Sequence, residues 1–327
     1  MKSNKGYTLV ELMIALLIAM LILVPVCKSY VGSHDLYRYT KNMSRNQENG
    51  RFAMYFLSED IRKARYGDCN PTTVVNHLND PDAYHQAGVG VTGSDYVGTG
   101  GSNPNTDWDP PLPSFFTSSD VVPGTDVLFI SKFSDILYRV APPWMPTPGG
   151  ALHIADPHGG LTPDDIFMVT DCKTGDIFQA VGSNNPGTSG TLEHGTGNNG
   201  FPGNRTKNFQ VTYGAGSEIV KFTAHYYYIG HGADGQPALF RMALLGGWTP
   251  EEMVGNIDDL QLLYGQDTTG DKSVDEYVTG DLVGNWQNTK AVHIDLQAAT
   301  PEKIVRETRD RRRQRFTSVV QIREFRK

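Results

Sequence analysis

The chain has 327 residues, a formal net charge of −7 and a mean hydropathy of −0.38. Its 35 glycines and 19 prolines exceed average use but stay below the level typical of low-complexity disorder. Fibrous, wholly disordered and polytopic membrane proteins are therefore excluded. The length allows roughly two domains or one large β-rich domain.

The N-terminal region departs most from this average. Residues 9–27 form an apolar run whose one charged residue is Glu11. As a helix the run measures about 28 Å, enough to cross a bilayer core of about 30 Å. Lys2 and Lys5 precede it and favour a cytoplasmic N-terminus with the rest of the chain outside. The run is longer than a signal-peptide core, and neither a small-residue cleavage site nor a lipoprotein pattern surrounds Cys27.

Glu11 is the informative residue of this run, because a carboxylate in a membrane span is costly unless it is paired. Residues 5–11 (KGYTLVE) resemble the leader end and the first mature residues of type IV prepilins. The resemblance implies cleavage by prepilin peptidase between Gly6 and Tyr7 and N-methylation of Tyr7. It also implies that Glu11 pairs with the amine of a neighbouring subunit during assembly, since opposite charges attract strongly in a low dielectric. Tyr7 stands where the family usually has Phe, and it keeps the aromatic ring.

The apolar run is expected to continue as an amphipathic helix to residue 65. Met54, Leu57, Ile61 and Ala64 recur at helical spacing, with charged residues such as Asp60 between them. Pro25 predicts a kink, and the Asn-Gly pair at 49–50 predicts a break near residues 46–50. The expected domains are a leader (1–6), a transmembrane segment (7–28), the rest of the helix (29–65) and an exported β-rich domain (66–327).

The remaining sequence is typical of a β-rich domain with long loops. Residues 66–124 are rich in turn signals, and residues 182–203 are expected to form a flexible loop. Apolar and β-branched segments predict strands at 126–131, 166–170, 220–228, 238–243, 260–264, 291–296 and 316–323. The predicted fold class is α+β, with a long N-terminal helix packed on an antiparallel β-sheet domain.

Several patches along the chain sharpen the resemblance to PilW-like minor pilins. They are residues 49–53, 60–64, 68–69, 126–128, 170–172, 177–179, 260–265 and 316–323. The resemblance implies a structural, non-enzymatic subunit of the inner membrane with a periplasmic domain. Such a subunit primes type IV pilus assembly and sits in the pilus tip complex at the cell surface.

The same resemblance implies a set of partners. These are other minor pilins, the major pilin, prepilin peptidase, the inner-membrane assembly machinery, a tip adhesin, and the lipid bilayer along residues 9–27. Twitching motility and cell adhesion are the processes implied. Type II secretion pseudopilins share the leader and the C-terminal strand but are usually shorter, and a J-like pseudopilin remains the alternative.

Two of the three cysteines belong to the exported part. Cys69 and Cys172 are expected to pair in an oxidising periplasm, closing a loop for which chain entropy predicts roughly 4–5 kcal/mol of stabilisation. Two separate buried thiols are the alternative. Cys27 lies at the end of the apolar run, where a thiol behaves as a small hydrophobe. No Cys-x-x-Cys pair occurs, which excludes a zinc ribbon or a thioredoxin motif.

An acidic turn follows the segment 260–264. The oxygen ligands of a calcium site would come from Asp267, Thr269, Asp271 and Ser273, closed by Asp275 or Glu276. Relatives often carry D-T-D-G-D-G here, and Thr269 and Lys272 weaken such a loop. A hairpin turn rich in Asx residues is therefore the favoured alternative.

Residues 302–327 contain ten Lys or Arg and four Asp or Glu, a net charge of +6. A basic cluster of this kind, densest at 303–315, can bind phosphates. However, no aromatic residue lies within it before Phe316, so nucleic acid is the disfavoured partner. The nine histidines lack zinc-ligand spacing, and no hydrolase motif occurs. A membrane-anchored periplasmic hydrolase remains the remote alternative.

Overall fold

The computed structural model describes residues 8–64, 71–79, 90–155, 161–182, 185–196, 202–244, 248–303 and 310–323. A single helix, α1 (Leu9–Lys63), opens the fold and is 55 residues long, which corresponds to about 82 Å. Its last turn carries Arg62 and Lys63, cations that interact favourably with the carboxyl end of the helix dipole.

The predicted break near residues 46–50 is wrong, because α1 runs without interruption through both Pro25 and Gly50. Gly50 is buried, and a Cβ atom at this position would lie 2.2 Å from Cε2 of Phe316. The glycine therefore permits close packing of a distant aromatic ring, and that packing outweighs its low helix propensity.

Fifteen strands occur in the described part of the chain. They are β1 (Thr73–Asn76), β2 (Val91–Tyr96), β3 (Trp108–Asp109), β4 (Val127–Arg139), β5 (Leu152–His153), β6 (Ile166–Thr170), β7 (Thr174–Gln179), β8 (Thr191–Leu192), β9 (Glu218–His231), β10 (Pro237–Leu244), β11 (Trp248–Gly255), β12 (Ile257–Gln266), β13 (Glu276–Val278), β14 (Thr289–Ala299) and β15 (Arg313–Gln321). A short helix, α2 (Pro186–Ser189), precedes β8. All seven predicted strand segments overlap observed strands. The segments expected to be loops contain β1, β2, β3, α2 and β8 in addition.

The strands form two main sheets. The larger has nine strands in the order β1-β7-β6-β9-β4-β2-β3, with β10 also paired to β9 and β11 paired to β10. The smaller has four strands in the order β13-β12-β14-β15, and β5 pairs with β8 apart from both. The described pairings are antiparallel except for β1 with β7, which is parallel. The predicted α+β class with a long N-terminal helix and antiparallel sheets is confirmed.

The two sheets share one core with the second half of α1. Leu57 of α1, Leu128 of β4 and Ile294 of β14 are all fully buried in it. A second core lies on the opposite face of the nine-stranded sheet, where Phe129 is buried together with Phe116 from the loop before β4. Because strand side chains alternate between faces, β4 contributes to both cores. The nine-stranded sheet is thus covered on both faces, by α1 and the small sheet on one and by loops on the other.

Candidate functional site

The first half of α1 presents an apolar surface that nothing in the described chain covers. Large side chains from Leu9 to Val31 are between 50% and 75% exposed. Among the described residues, α1 is the one helix whose length and composition suit a membrane span. An apolar surface of this extent marks contact with lipid or with partner helices.

Glu11 and Thr8 form the start of this helix together. The Glu11 Oε2 atom accepts hydrogen bonds from the Thr8 backbone N (2.9 Å) and the Thr8 Oγ1 (3.0 Å), and the Glu11 N donates to Thr8 Oγ1 (3.3 Å). This reciprocal capping box satisfies backbone donors that a helix start leaves without partners. It also places the carboxylate at the positive end of the helix dipole. Gly6 and Tyr7 lie outside the described residues, so cleavage, methylation and pairing of Glu11 remain predictions.

A buried polar cluster attaches the other end of α1 to the large sheet. Asp60 is only 7% exposed, its carboxylate is ion-paired with Lys132 of β4, and it accepts a hydrogen bond from the Tyr227 hydroxyl at 2.6 Å. Burial raises the pKa of Asp60, but Lys132 and Tyr227 outweigh burial and hold it below its usual value. Asp60 therefore lies on the sheet-facing side of the amphipathic helix and not on its solvent side. In the sequence, the one indication that Asp60 contacts the sheet is its position next to Ile61 and three residues after Leu57.

His225 of β9 adjoins the same cluster, with its Nδ1 atom 3.8 Å from Asp60 Oδ2. Burial lowers the pKa of His225 to about 4, so the imidazole is neutral at neutral pH. The helix end is thus held by one buried ion pair and one buried hydrogen bond.

Further polar contacts hold the middle of α1 against the β-rich region. Arg38 is ion-paired with Glu302 at 2.6 Å, and Asn49 Nδ2 donates to the Gly255 carbonyl at 2.9 Å. These contacts begin about two turns beyond the exposed apolar stretch, so α1 divides into an uncovered half and an anchored half.

Asp126 links the two sheets at the start of β4. Its two carboxylate oxygens accept from the backbone N atoms of Tyr96 on β2 (3.1 Å) and Leu262 on β12 (2.8 Å). Burial, followed by the charge of nearby Asp95, raises the pKa of Asp126 to about 8. Burial likewise raises the pKa of Asp95 to about 6. This link was not anticipated, because the sequence pattern predicts only a strand at 126–131 and gives no indication of the distant partners Tyr96 and Leu262.

Cys172 lies in the tight turn between β6 and β7 with a φ of 66°, and its backbone N donates to Thr170 Oγ1 at 2.9 Å. Cys27 is an exposed free thiol on α1. Cys69 lies outside the described residues, so the Cys69–Cys172 pairing stays a prediction.

The acidic turn between β12 and β13 satisfies its carboxylates with its own backbone. Asp267 accepts from the N atoms of Gly270 (2.6 Å) and Lys272 (2.9 Å), and Asp275 accepts from those of Thr268 (2.8 Å) and Thr269 (3.0 Å). Asp271 accepts from the Ser273 N at 2.8 Å. The described residues hold no group of three or more His, Cys, Asp or Glu placed for a metal ion. These hydrogen bonds are those of an Asx-rich turn, and calcium binding by Asp267, Thr269, Asp271, Ser273 and Asp275 stays untested.

The described part of the basic segment is engaged with acidic residues of the same chain. Arg311 and Arg313 both pair with Asp258, the latter at 2.8 Å, and Arg315 Nε lies 2.6 Å from Asp295 Oδ1. These contacts support the view that the segment balances an acidic surface. Residues 304–309 lie outside the described chain.

One buried pair has the composition of a catalytic dyad. His77 Nε2 lies 2.6 Å from Asp176 Oδ1, and the Tyr213 hydroxyl donates to the other oxygen at 2.6 Å. The other ring nitrogen of His77 is buried without a hydrogen-bond partner in the described chain, so no hydroxyl or thiol among the described residues is hydrogen-bonded to this imidazole. The pair ties β1 to β7 and to the loop that follows α2 and β8.

Two family models match parts of the chain. Residues 1–26 match the prokaryotic N-terminal methylation motif, which includes the start of α1. Residues 226–314 match type IV pilus-assembly protein W, from within β9 to the beginning of β15. No curated protein and no solved structure matches the chain. The two matches, at opposite ends of the sequence, are together those of a PilW-like prepilin.

Proposed function

We propose that this protein is a minor pilin that primes type IV pilus assembly and takes its place in the tip complex of the filament. In this proposal prepilin peptidase removes residues 1–6 and the new N-terminus at Tyr7 is methylated. The exposed apolar half of α1 then holds the subunit in the inner membrane, with its N-terminus cytoplasmic and the β-rich region periplasmic.

The observation that supports the proposal is that the prepilin motif continues directly into the apolar first half of α1, which nothing in the described chain covers. Residues 1–26 match the methylation motif, and the large side chains from Leu9 to Val31 have no cover within the described chain. Glu11 is the one acid within that surface. Because an unpaired carboxylate in lipid is costly, a neighbouring subunit's N-terminal amine is its natural partner during assembly.

The test is the substitution Glu11→Ala in the full-length chain, with Thr8 left in place. We expect membrane insertion to persist, because the apolar run is unchanged, while the number of surface pili falls. Membrane fractionation and electron microscopy of pili measure the two effects. Glu48→Ala, which removes an exposed acid further along α1, is the matched control. Normal piliation in the Glu11→Ala strain would overturn the proposed mechanism.

A J-like pseudopilin of type II secretion is the competing function, since it shares the leader. The match to type IV pilus-assembly protein W over residues 226–314 favours the pilus. A deletion strain separates the two, because loss of twitching supports the pilus role and loss of protein secretion supports the pseudopilin.

We also propose that Cys69 and Cys172 form a disulfide in the periplasm. The Thr72 N donates to the carbonyl of Lys173, next to Cys172, at 2.9 Å. Cys69 lies three positions before Thr72, and a chain of that length spans at most about 11 Å, which would allow the two thiols to meet in an oxidising compartment.

A further inference from the structure

A groove runs between the anchored half of α1 and the outer edge of β15. It has a volume of about 380 Å³ and is lined chiefly by Arg51, Met54, Tyr55 and Arg62 from the helix and by Phe316 and Thr317 from the strand. The contacts described above for membrane anchoring and for Glu11 do not involve this groove.

The strand side of the groove is an open sheet edge. β15 is the last strand of the small sheet and pairs with β14 along Arg313–Gln321. In the described chain no strand pairs with its other side. An edge of this kind presents N–H and C=O groups that an added strand can bind. Many peptide-binding domains take an extended segment in this way.

The helix side of the groove supplies positive charge. Arg51 and Arg62 are exposed, and within the described chain neither forms an ion pair. Glu59 interacts electrostatically with Arg62, but it is already ion-paired with Lys63 at 2.8 Å. Arg311, Arg313 and Arg315 of the basic segment, by contrast, are neutralised by Asp258 and Asp295.

The floor of the groove offers apolar anchoring. Tyr55 is 61% exposed and packs edge-to-face on Phe56, while the Phe316 ring rests on Gly50. Exposed aromatic side chains beside arginines are characteristic of the few residues that carry most of the binding energy at protein interfaces.

We propose that this groove binds an extended, carboxylate-bearing segment of a neighbouring pilus subunit, which adds to β15 as a further strand. Its Asp or Glu side chains pair with Arg51 and Arg62 and its apolar side chains cover Tyr55 and Phe316. The partner's identity as a pilus subunit rests on the proposed function. Charge complementarity selects an acidic segment over a neutral one.

The experiment uses the full-length chain in piliated cells, with the photo-crosslinking residue benzoylphenylalanine at position 55 or at position 317. The control carries the same residue at position 282, because Leu282 is 67% exposed and lies outside the groove. We expect a covalent adduct with another pilus subunit from positions 55 and 317 and none from position 282.

Charge variants complete the test. Arg51→Glu combined with Arg62→Glu should lower the adduct yield roughly tenfold, since the carboxylates of the bound segment would then face like charges. Arg51→Lys keeps the charge and should keep the yield. Lys41→Glu changes an exposed cation elsewhere on α1 and should also leave the yield unchanged. Immunoblots of membranes show that each variant is present in equal amount.

The proposal is overturned if positions 55 and 317 give no adduct, or if they give adducts only with lipid or with proteins outside the pilus. Charge reversal that leaves the yield intact would also overturn it. Failure of the proposed function is distinguishable, because it would appear as unchanged piliation in a strain that lacks the protein altogether.

Discussion

Replacing Asp60 should loosen the attachment of α1 to the large sheet. Breaking a buried ion pair by removing one partner costs about 3–5 kcal/mol. The side chains of Asp60 and Lys132 are 10% and 21% exposed, so solvent relieves part of that cost. For Asp60→Asn, which retains an acceptor for Tyr227, we expect a loss of about 2–3 kcal/mol. Asp60→Ala also leaves the Tyr227 hydroxyl without this acceptor, and the expected loss rises to about 3–5 kcal/mol.

The assay is thermal unfolding of the detergent-solubilised chain followed by near-UV circular dichroism. A loss of about 3 kcal/mol corresponds to a fall in Tm of roughly 6–12 °C for a domain of this size. Glu59→Gln is the control, because Glu59 makes only a partly exposed pair with the adjacent turn of the same helix. The double variant Asp60→Asn/Lys132→Met should lose less than the sum of its single changes, since no charge is then left unpaired.

The dependence of folding stability on pH gives an independent check on the Asp60 cluster. Because the pKa of Asp60 is lowered in the folded protein, its stabilisation is present above the unfolded-state pKa and is lost as the pH falls through the folded value. The difference in stability between wild type and Asp60→Asn should therefore shrink in acid. An Asp60→Asn protein with the Tm of the Glu59→Gln control, or additive single changes, would refute the role assigned to this ion pair.

Three further predictions concern the packing at Gly50, the titration of Asp126 and the pairing of Cys69 with Cys172. Gly50→Ala should lower the free energy of unfolding by about 1–2 kcal/mol, although alanine has the better helix propensity, because the added Cβ displaces the Phe316 ring. In a Phe316→Ala background the same substitution should be neutral or stabilising. A raised Tm of the Gly50→Ala single variant would contradict this packing. The raised pKa of Asp126 means that stability should fall with increasing pH, by up to about 1.4 kcal/mol per unit between about pH 4 and about pH 8. Urea unfolding should show a flatter profile for Asp126→Asn, and parallel profiles would exclude this titration. Cys69→Ala should release a thiol at Cys172 that mass spectrometry detects after alkylation without reductant, and an alkylated Cys172 in the wild type would rule out the disulfide.

The elements that the sequence predicted correctly are those whose signal is local. The apolar run 9–27 and the β-branched runs that became β4, β6 and β9 carry their own periodicity. In contrast, β2 contains Gly93 and Asp95, which are poor strand formers. Gly93 is tolerated because its missing side chain makes room for the Tyr264 hydroxyl, which lies 1.7 Å from where a Cβ would stand. β11 was missed because it contains Pro250, and it lies at a sheet edge, where a proline is accommodated.

The residues of the candidate site also differ in whether their roles could be predicted from local sequence. The motif around Glu11 is contiguous, so the sequence alone was sufficient to indicate it. The roles of Gly50 and Asp60 depend on Phe316, Lys132 and Tyr227, which are separated from them by between 72 and 266 positions. Local rules therefore read Gly50 as a helix breaker and Asp60 as a surface charge. Only the fold brings these partners together.

The order of elements along the chain sets the order in which the protein can fold. The core around Leu57 is completed by β14 and β15, whose strands begin more than 225 positions later. The anchored half of α1 can pack on β4, β9 and β12 earlier, but its core is not complete until β15 has been synthesised. Contacts of such long sequence separation form slowly. A chain that lacks its last strands would therefore leave part of the apolar face of α1 around Leu57 uncovered, so the C-terminal residues decide when the helix becomes fully packed.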